Sequence, residues 1–241
     1  MKISVVIPAY NEEKLIGGTL AAIHLARAAF TVAGWESEVV VCDNNSNDRT
    51  GELAHAAGAV VVFEPVNQIA RARNAGAAAA TGDWLVFVDA DSRPSPGLFS
   101  DVVEQIRSGH CLAGGCILRL DETQFAAECV LRGWNTISRV LKWAAGSFIF
   151  CETAAFREIG GFSHELFVSE ELDLSIRLRR LARRKGRRMV ILTRHPLLTS
   201  ARKMHLYSPA EHVWFLLKTL LTGGRTMRAR EKCAIWYDGR R

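Results

Sequence analysis

The 241-residue sequence predicts an α/β fold with a mostly parallel central sheet flanked by helices. In its first half, short apolar runs rich in β-branched residues alternate with longer segments of helical periodicity. This alternation favours parallel strands, because a parallel pair needs a crossover that is usually a helix. The composition agrees, since 49% hydrophobic and 23% charged residues are ordinary values for a globular domain. The length suits one large domain or a domain with a tail.

Four predicted strands and three predicted helices make up the first half. The strands are residues 3–8, 38–42, 60–63 and 84–88. The helices are residues 11–33, 48–57 and 68–80. A glycine follows each helix, at Gly34, Gly58 and Gly82. Glycine commonly ends helices, so these positions support the predicted boundaries.

The second half has a less regular pattern of helices and strands. We predict helices at residues 95–107, 122–142 and 170–185, and strands at residues 111–120, 147–150, 188–193 and 197–200. Ser208 and Pro209 are typical of a helix start, with a capping serine followed by proline at the first position. We therefore expect a domain of residues 1–203 and a basic, helical C-terminal tail of residues 204–241.

Two aspartates directly follow the fourth strand. Asp89 and Asp91 are spaced so that both can reach one point beyond the strand end, where ligands bind on such sheets. Two hard oxygen ligands can hold Mg²⁺ or Mn²⁺ and leave positions for water and substrate phosphates. The pattern favours chemistry with a phosphate leaving group. The alternative is a turn with two solvated aspartates.

Other polar groups are predicted at the same edge of the sheet. Asp43 ends the second strand and could accept hydrogen bonds from a nucleobase or ribose, although residues 46–48 could simply cap the next helix. The loop of residues 8–13 would lie beside Asp43 if the first two strands are neighbours. Arg71 and Arg73 are predicted to form one cationic helix face suited to a nucleotide. The alternative is a solvated face.

Four sequence segments occur in a characteristic order. They are Pro-Ala-Tyr-Asn-Glu-Glu (8–13), Asp-Asn-Asn-Ser-Asn-Asp-Arg-Thr (43–50), Ala-Arg-Asn-Ala-Gly (72–76) and Thr-Gly-Asp-Trp-Leu-Val-Phe-Val-Asp-Ala-Asp (81–91). In this order and spacing the chain resembles the inverting family-two glycosyltransferases of the GT-A fold. The resemblance continues through residues 145–147, 160–162 and 169–174, and it covers residues 1 to about 200.

The resemblance implies a nucleoside-diphosphate sugar donor and a hydroxyl-bearing acceptor. Residues 1–93 would bind the nucleotide sugar, and residues 94–203 would form the acceptor side. Asp43 would recognise the base, Asp89 the ribose or a metal-bound water, and Asp91 a Mn²⁺ or Mg²⁺ ion bridging the phosphates. Asp89 is also a candidate metal ligand. The further donor-binding residues implied are Pro8, Ala9, Tyr10, Asn11, Glu12, Asn45, Arg71, Arg73, Ala90, Gly146 and Arg202.

The family's acidic pair corresponds to Glu170 and Glu171, and its second member is the catalytic base. Here the base position is Glu171, where aspartate is usual. The extra methylene changes the reach of the carboxylate, so Glu170 and Asp173 stay alternatives. All three acids could also serve as first-turn acids that interact with the helix dipole.

Two further positions differ from the family pattern. Asn45 stands where glycine is frequent, and asparagine also tolerates a left-handed conformation. Many relatives place a histidine metal ligand after the last core strand, where this chain has residues 198–202. His195 and His205 flank that segment and are candidate ligands. Alternatively, Arg202 or Lys203 could replace the charge of a metal at the diphosphate.

The net charge of +6 conceals an asymmetry along the chain. Residues 174–241 contain 18 basic and 3 acidic residues, whereas residues 1–173 contain 13 basic and 22 acidic residues. Residues 213–221 place Trp214 and Phe215 among leucines, which fits a helix in an anionic membrane surface. The alternative is a helix buried in the core or between the subunits of a homodimer.

The apolar runs and the cysteines of the sequence indicate where the protein is located. No stretch reaches the roughly 18 apolar residues of a membrane span, and the cysteines, with Cys42 and Cys151 in apolar strands, suit reduced, buried thiols. We expect a cytoplasmic protein, peripheral on the inner face of the membrane.

A nucleotidyltransferase that forms sugar nucleotides is the rival enzyme. A non-catalytic nucleic-acid binder is a second rival, but the basic run lacks interleaved aromatics, so no nucleic-acid partner is expected.

Overall fold

The computed structural model describes residues 1–121 and 125–202. Within this part of the chain, eight strands form one sheet in the order β3-β2-β1-β4-β7-β6-β8-β5. The strands are β1 (Lys2–Ala9), β2 (Glu36–Asp43), β3 (Val60–Phe63), β4 (Trp84–Val88), β5 (Ser92–Arg93), β6 (Cys111–Leu120), β7 (Phe148–Glu152) and β8 (Arg188–Thr199). The helices are α1 (Ile16–Ala26), α2 (Ala28–Val32), α3 (Thr50–Ala56), α4 (Ile69–Ala79), α5 (Pro96–Arg107), α6 (Phe125–Leu141), α7 (Thr153–Glu158) and α8 (Glu170–Arg184).

The sheet is mixed and mostly parallel, which confirms the predicted fold class. β1 pairs in parallel with β2 and β4, β2 with β3, and β6 with β8. β7 runs antiparallel between β4 and β6, and the short β5 runs antiparallel to β8. The carboxyl ends of β1, β2 and β4 therefore meet at one edge of the sheet.

Helices cover both faces of the sheet, and each face has its own apolar core. Ile3, Val5 and Ile7 of β1 belong to the core that includes residues of α1, α2 and α5. Val6, between them, belongs to the opposite core with residues of α4, α7 and α8. Because side chains alternate along a strand, a strand covered on both faces is apolar throughout. This explains the uninterrupted apolar runs in the sequence.

The first predicted helix, residues 11–33, is wrong at its start and in its continuity. The helix begins at Ile16, and a break at Arg27 separates α1 from α2. Asn11 has a φ of 52°, a left-handed conformation that does not start a helix. Its Oδ1 accepts a hydrogen bond from Asn47 N (2.8 Å), so loop-to-loop hydrogen bonds compete with helix formation.

After β4 the structure differs from the prediction in several places, among them the short strand β5, which was not predicted. Residues 188–193 and 197–200 were predicted as two strands, but they belong to one strand, β8. The register against β6 shifts between the pairs Cys116–Leu192 and Leu118–Leu197, so the intervening residues form a bulge that accommodates Pro196. The short helix α7 was not predicted.

Four cysteines of the described residues are buried and free, namely Cys42, Cys111, Cys116 and Cys151. Burial raises the pKa of the Cys42 and Cys111 thiols to about 12, so these thiols are unreactive. The prediction of buried thiols is confirmed for Cys42 and Cys151, while Cys129 is exposed.

In the part of the chain that the structure describes, no helix has the length and apolarity needed to cross a membrane. The predicted tail of residues 204–241 lies outside the described residues. So do Lys203 and His205.

Candidate active site

A cavity of about 570 Å³ opens at the carboxyl ends of β1 and β4 and is bordered by the start of α8. The sequence-predicted site residues that line it are Pro8, Ala9, Tyr10, Glu12, Arg73, Asp89, Ala90, Asp91, Gly146, Glu170 and Glu171. Those outside its lining are Asn11, Asp43, Asn45, Arg71, Asp173 and Arg202. The cavity size is that of a small-molecule site.

The loops after β1 and β2 lie side by side, as predicted. Ala9 pairs with Asp43 in the register of the two strands, and Asn44 N donates to Ala9 O at 2.8 Å. Asp43 Oδ1 accepts a hydrogen bond from Ser46 N (2.9 Å), which closes the β2–α3 loop on itself. Asn45 has a φ of 66°, the left-handed conformation that asparagine tolerates. The carboxylate of Asp43 thus lies at the end of β2, beside the cavity.

Asn44 is a structural residue of the site that sequence reasoning missed. Its buried side chain donates to Glu64 O (3.1 Å) and Val66 O (2.7 Å) and accepts from Gln68 N (2.9 Å). It therefore ties the end of β3 and the start of α4 to the end of β2. The only sequence signal was its place in an asparagine-rich loop, which also suits a solvated turn.

Arg73 connects several groups of the site through hydrogen bonds. Its guanidinium is buried and donates to Glu170 Oε1 (2.6 Å), Asp89 Oδ1 (3.0 Å) and Gly146 O (2.9 Å). These bonds join α4 to the end of β4, to the start of α8 and to the segment just before β7. A side chain at Gly146 would meet Arg73 Nη2 at 3.0 Å, so glycine leaves room for the guanidinium. One buried cation thus positions two acidic groups of the cavity.

The prediction that Arg71 and Arg73 share one cationic face is wrong. Residues two apart on a helix do not face the same side. Arg73 points inward to its acidic partners, whereas Arg71 is half-buried and lies outside the cavity lining.

The acidic pair at the start of α8 is divided between two environments. Glu170 is buried and ion-paired with Arg73. Glu171 lines the cavity, where burial and the neighbouring charge of Glu170 raise its pKa to about 8. Asp173 forms an ion pair with Arg177 (2.6 Å) and is partly exposed. Both glutamates line the cavity, and burial raises the pKa of each, but the carboxylate of Glu170 is held by Arg73. Glu171 is therefore the member of this acidic cluster better placed to take up a proton near neutral pH.

Asp89 and Asp91 provide carboxylate oxygens on the same wall of the cavity. Arg73 binds Asp89, and Arg202 Nη2 lies 4.0 Å from Asp91 Oδ2. Arg202 also forms two hydrogen bonds with the buried carboxylate of Glu12 (2.8 and 3.0 Å). No cluster of three or more potential metal ligands occurs among the described residues. The donor set fits a hard cation that takes few protein ligands and keeps positions for water and phosphate.

His195 lies away from this cavity. Its Nδ1 is 3.1 Å from Oδ2 of the buried Asp101 on α5, and it does not line the cavity. The structure therefore pairs His195 with helix α5. The histidine is held by a buried acid and is not directed to the aspartates of the site.

Several apolar residues that line the cavity were not predicted as part of the site. They include Leu118, Trp134 of α6, Phe167 and Val168. The helical periodicity of α6 was visible in the sequence, but not which side of that helix faces the cavity. Ser169 directly precedes α8 with a φ of 66°, a strained conformation for a serine next to the acidic pair.

Comparisons with known proteins identify the family. Residues 4–159 match the family model described as Glycosyl transferase family 2. An uncharacterized glycosyltransferase of Mycobacterium tuberculosis is 36% identical over 113 residues, which is 47% of each chain. Dolichol-phosphate mannosyltransferase of Pyrococcus furiosus is 32% identical over 123 residues, 48% of this chain and 33% of that protein. The chain thus matches half or less of the length of these relatives.

Solved structures show the same fold at low sequence identity. The mannosyltransferase PcManGT from Pyrobaculum calidifontis, in complex with GDP-Man and Mn²⁺, has a TM-score of 0.68 at 18% identity, over 94% of this chain and 62% of that one. TarS of S. aureus has a TM-score of 0.66 at 20% identity, over 98% and 69%. With the family model matching most of the domain, the chain belongs to glycosyltransferase family 2 and has the GT-A fold.

Proposed function

We propose that this protein is a metal-dependent inverting glycosyltransferase that moves a sugar from a nucleoside-diphosphate sugar to an acceptor hydroxyl. The main observation that supports this proposal is that Asp89, Asp91 and Glu171 line one cavity. Acidic groups suited to a cation and a carboxylate suited to a proton are thereby placed around a space large enough for a sugar nucleotide.

Glu171 is the proposed catalytic base. Its carboxylate takes the proton from the acceptor hydroxyl, and the oxygen attacks the anomeric carbon on the side opposite the diphosphate. The bond to the diphosphate breaks as the new glycosidic bond forms, so a single displacement inverts the anomeric centre. Glu170 holds Arg73 in place and is a positioning residue, and Asp173 is engaged by Arg177.

Donor binding is assigned to the carboxyl ends of β1, β2 and β4. Asp43 is the proposed contact to the base, and the β1 loop with Tyr10 borders the nucleotide. Asp91, with Asp89, would hold Mn²⁺ or Mg²⁺, which offsets charge on the diphosphate. Arg202 adds a cation at the same place. The relatives support this assignment, because PcManGT is described with GDP-Man and Mn²⁺ and TarS with UDP-GlcNAc.

The acceptor is proposed to be lipid-linked or membrane-associated, with the protein attached to the cytoplasmic membrane face through the basic residues 174–241. Among the relatives are dolichol-phosphate mannosyltransferase and the Pseudomonas aeruginosa undecaprenyl-phosphate 4-deoxy-4-formamido-L-arabinose transferase. Part of the basic charge of α8 and its surroundings is used internally, in ion pairs of Arg177, Lys185 and Arg187. The exposed cations that remain include Arg180, Arg183 and Arg184.

Thermal-shift and product assays test the proposed activity. We expect nucleoside diphosphates to stabilise the protein only with Mn²⁺ or Mg²⁺, because a ligand of the native state stabilises it by mass action. Incubation with the matching nucleotide sugar should release nucleoside diphosphate and give a product of inverted anomeric configuration by NMR. Release of pyrophosphate from a nucleoside triphosphate would instead favour a nucleotidyltransferase. Salt-dependent RNA binding without nucleotide-sugar turnover would favour the nucleic-acid binder.

A further inference from the structure

Helix α6 carries a row of exposed apolar side chains. Val130, Ile137 and Val140 are 64%, 46% and 72% exposed. At 100° per residue these positions lie within one side of the helix, and Gly133 and the exposed Cys129 fall on the same side. We call Cys129, Val130, Gly133, Ile137 and Val140 the α6 stripe. A surface helix usually turns such a row toward the core, so this one is unusual.

The core-facing side of α6 is a different one. Ser138 is buried and donates to Trp143 O (2.6 Å), and Asn135 exchanges two hydrogen bonds with the backbone of Leu118 on β6 (3.0 Å each). These contacts anchor the helix to the sheet and leave the α6 stripe outside. The stripe is therefore not needed to hold α6 on the domain.

The α6 stripe is continuous with the candidate active site. Trp134 lies one turn after Val130 and one turn before Ser138, so around the helix it falls between the α6 stripe and the buried side. Its side chain lines the cavity. Leu118, beneath α6, lines the cavity too. An apolar surface thus extends from the lining of the cavity to the outer side of the helix.

Basic residues border the stripe. Arg139 in the C-terminal half of α6 and Lys142 directly after the helix are exposed, and Arg132 is exposed and paired with Glu128. At the end of α6, Arg179 of α8 donates to Leu141 O, so one arginine of the basic segment of α8 lies at this end of the helix. Apolar side chains edged by cations are the pattern of a helix in an anionic lipid surface.

We propose that the α6 stripe inserts into the headgroup region of an anionic membrane and so presents the rim of the cavity to membrane-borne acceptors. The proposal rests on the proposed glycosyltransferase function and assigns membrane contact to α6 within the domain, separately from the tail. A second copy is a poorer occupant, because it would bring two sets of cations together. Lipid phosphates would neutralise them.

Vesicle sedimentation of the full chain tests the proposal. The test variant is Val130→Ser/Ile137→Ser/Val140→Ser. Its matched control is Leu25→Ser/Val32→Ser, which removes exposed apolar side chains of α1 and α2. We expect the wild type and the control to bind vesicles of phosphatidylcholine with phosphatidylglycerol, less strongly at high salt. The α6 variant should bind about tenfold more weakly. Equal binding of all three proteins, or no binding by the wild type, would overturn the proposal.

A fluorescent probe locates the contact. An environment-sensitive dye on the exposed Cys129, in a Cys233→Ser background, should shift its emission to the blue when anionic vesicles are added. A dye at Val32→Cys in a Cys129→Ser/Cys233→Ser background should not shift. An unchanged emission of the dye at Cys129 would contradict the proposal. It would indicate that another part of the chain or a second copy already covers this side of α6.

Donor binding separates this proposal from the activity. The α6 variant should keep the full thermal shift with nucleoside diphosphate and Mn²⁺. If the wild type binds vesicles through α6 but shows no nucleotide-dependent shift, the proposed function fails and the membrane contact stands. If Trp214→Ser/Phe215→Ser abolishes vesicle binding while the α6 variant retains it, the tail is the contact and the α6 proposal is wrong.

Discussion

The ion pair of Arg73 with Glu170 is the residue-scale feature that distinguishes the two acids at the start of α8. A buried cation must be paired, and Glu170 and Asp89 provide the partners. Glu171 lines the same cavity but is not the ion-pair partner of Arg73. Two adjacent residues with the same side chain therefore acquire different proposed roles from their surroundings alone.

Glu171→Gln tests the base assignment. Glutamine keeps the size of the side chain but cannot take the proton, so turnover should fall by about 10²–10⁴-fold. Donor affinity should be nearly unchanged, because the proton is transferred only in the reaction. Steady-state kinetics and calorimetric titration with the nucleoside diphosphate measure the two quantities.

Glu170→Gln is the matched control. It weakens the ion pair of Arg73, so the free energy of unfolding should fall by up to about 3–5 kcal/mol, measured by denaturant titration. Protein that stays folded should keep most of its turnover. If Glu170→Gln is folded but inactive while Glu171→Gln is active, the roles of the two acids are reversed.

The raised pKa of Glu171 predicts a pH dependence of stability. Below the ordinary glutamate pKa of 4.5, both the native and the unfolded chain hold the proton. Between that value and about 8, the native state still holds the proton and the unfolded chain has lost it. The contribution of Glu171 to the free energy of unfolding therefore falls as pH rises through this window. Glu171 is partly exposed, so solvent screening reduces the size of the effect.

The measurement is denaturant unfolding from pH 5 to pH 9 without nucleotide or metal. Glu171→Gln should gain stability relative to the wild type as the pH increases, because it carries no titrating group. A constant difference between the two proteins over this range would show that the pKa of Glu171 is not raised. The rate of transfer by the wild type should also rise with pH toward about 8, where the base becomes deprotonated.

At the scale of elements, α4 packs unusually close to the sheet because its sequence is rich in alanine and glycine. A side chain at Gly76 would place its Cβ 2.5 Å from Val6 Cγ1 of β1. This close approach carries Arg73, one turn earlier on α4, into the interior where it meets its acidic partners. The small residues of α4 are thus part of the geometry of the site.

Gly76→Ala should destabilise the protein by about 1–3 kcal/mol, because the added methyl overpacks the contact of α4 with β1. Gly133→Ala in α6 is the matched control. No atom lies within 4 Å of its added Cβ, so alanine should stabilise the helix by about 0.5–1 kcal/mol. Thermal or denaturant unfolding measures both changes. Equal effects of the two substitutions would contradict the packing account.

At the scale of the whole molecule, the sheet brings together groups that are far apart in sequence. Ser200 N donates to Asp91 O (3.3 Å), and Arg202 reaches Glu12 across 190 residues. The cavity is therefore built from both halves of the domain. A donor bound there contacts elements of both, and we expect it to stabilise the domain as a unit.

Asp91→Asn should remove this stabilisation. At 100 times its dissociation constant, a ligand adds about 2.7 kcal/mol to the free energy of unfolding. We expect nucleoside diphosphate with Mn²⁺ to raise the free energy of unfolding of the wild type by this amount. For Asp91→Asn the ligand should add almost nothing, although the variant without ligand should be as stable as the wild type. Asp43→Ala should weaken nucleotide affinity and keep the metal requirement. A metal-dependent shift of equal size in Asp91→Asn would exclude Asp91 as the main ligand.

The sequence by itself determined the fold class, the family resemblance and the position of acids at strand ends. Strand periodicity and turn residues are local properties, so β3, β4 and β6 have their predicted bounds. The loops after β1 and β2 also meet as predicted, because parallel neighbours end at one edge.

Only the tertiary structure decided the pairing of Arg73 and the separate environments of Glu170 and Glu171, whereas the i,i+4 ion pair of Asp173 with Arg177 follows from helix geometry. The pairing and the two environments depend on contacts between residues up to 97 positions apart, which no local pattern records. The early start predicted for α1 failed for the same reason, because Asn11 is bonded to a loop 36 residues away. The exposed stripe of α6 likewise depends on which side of the helix the sheet covers.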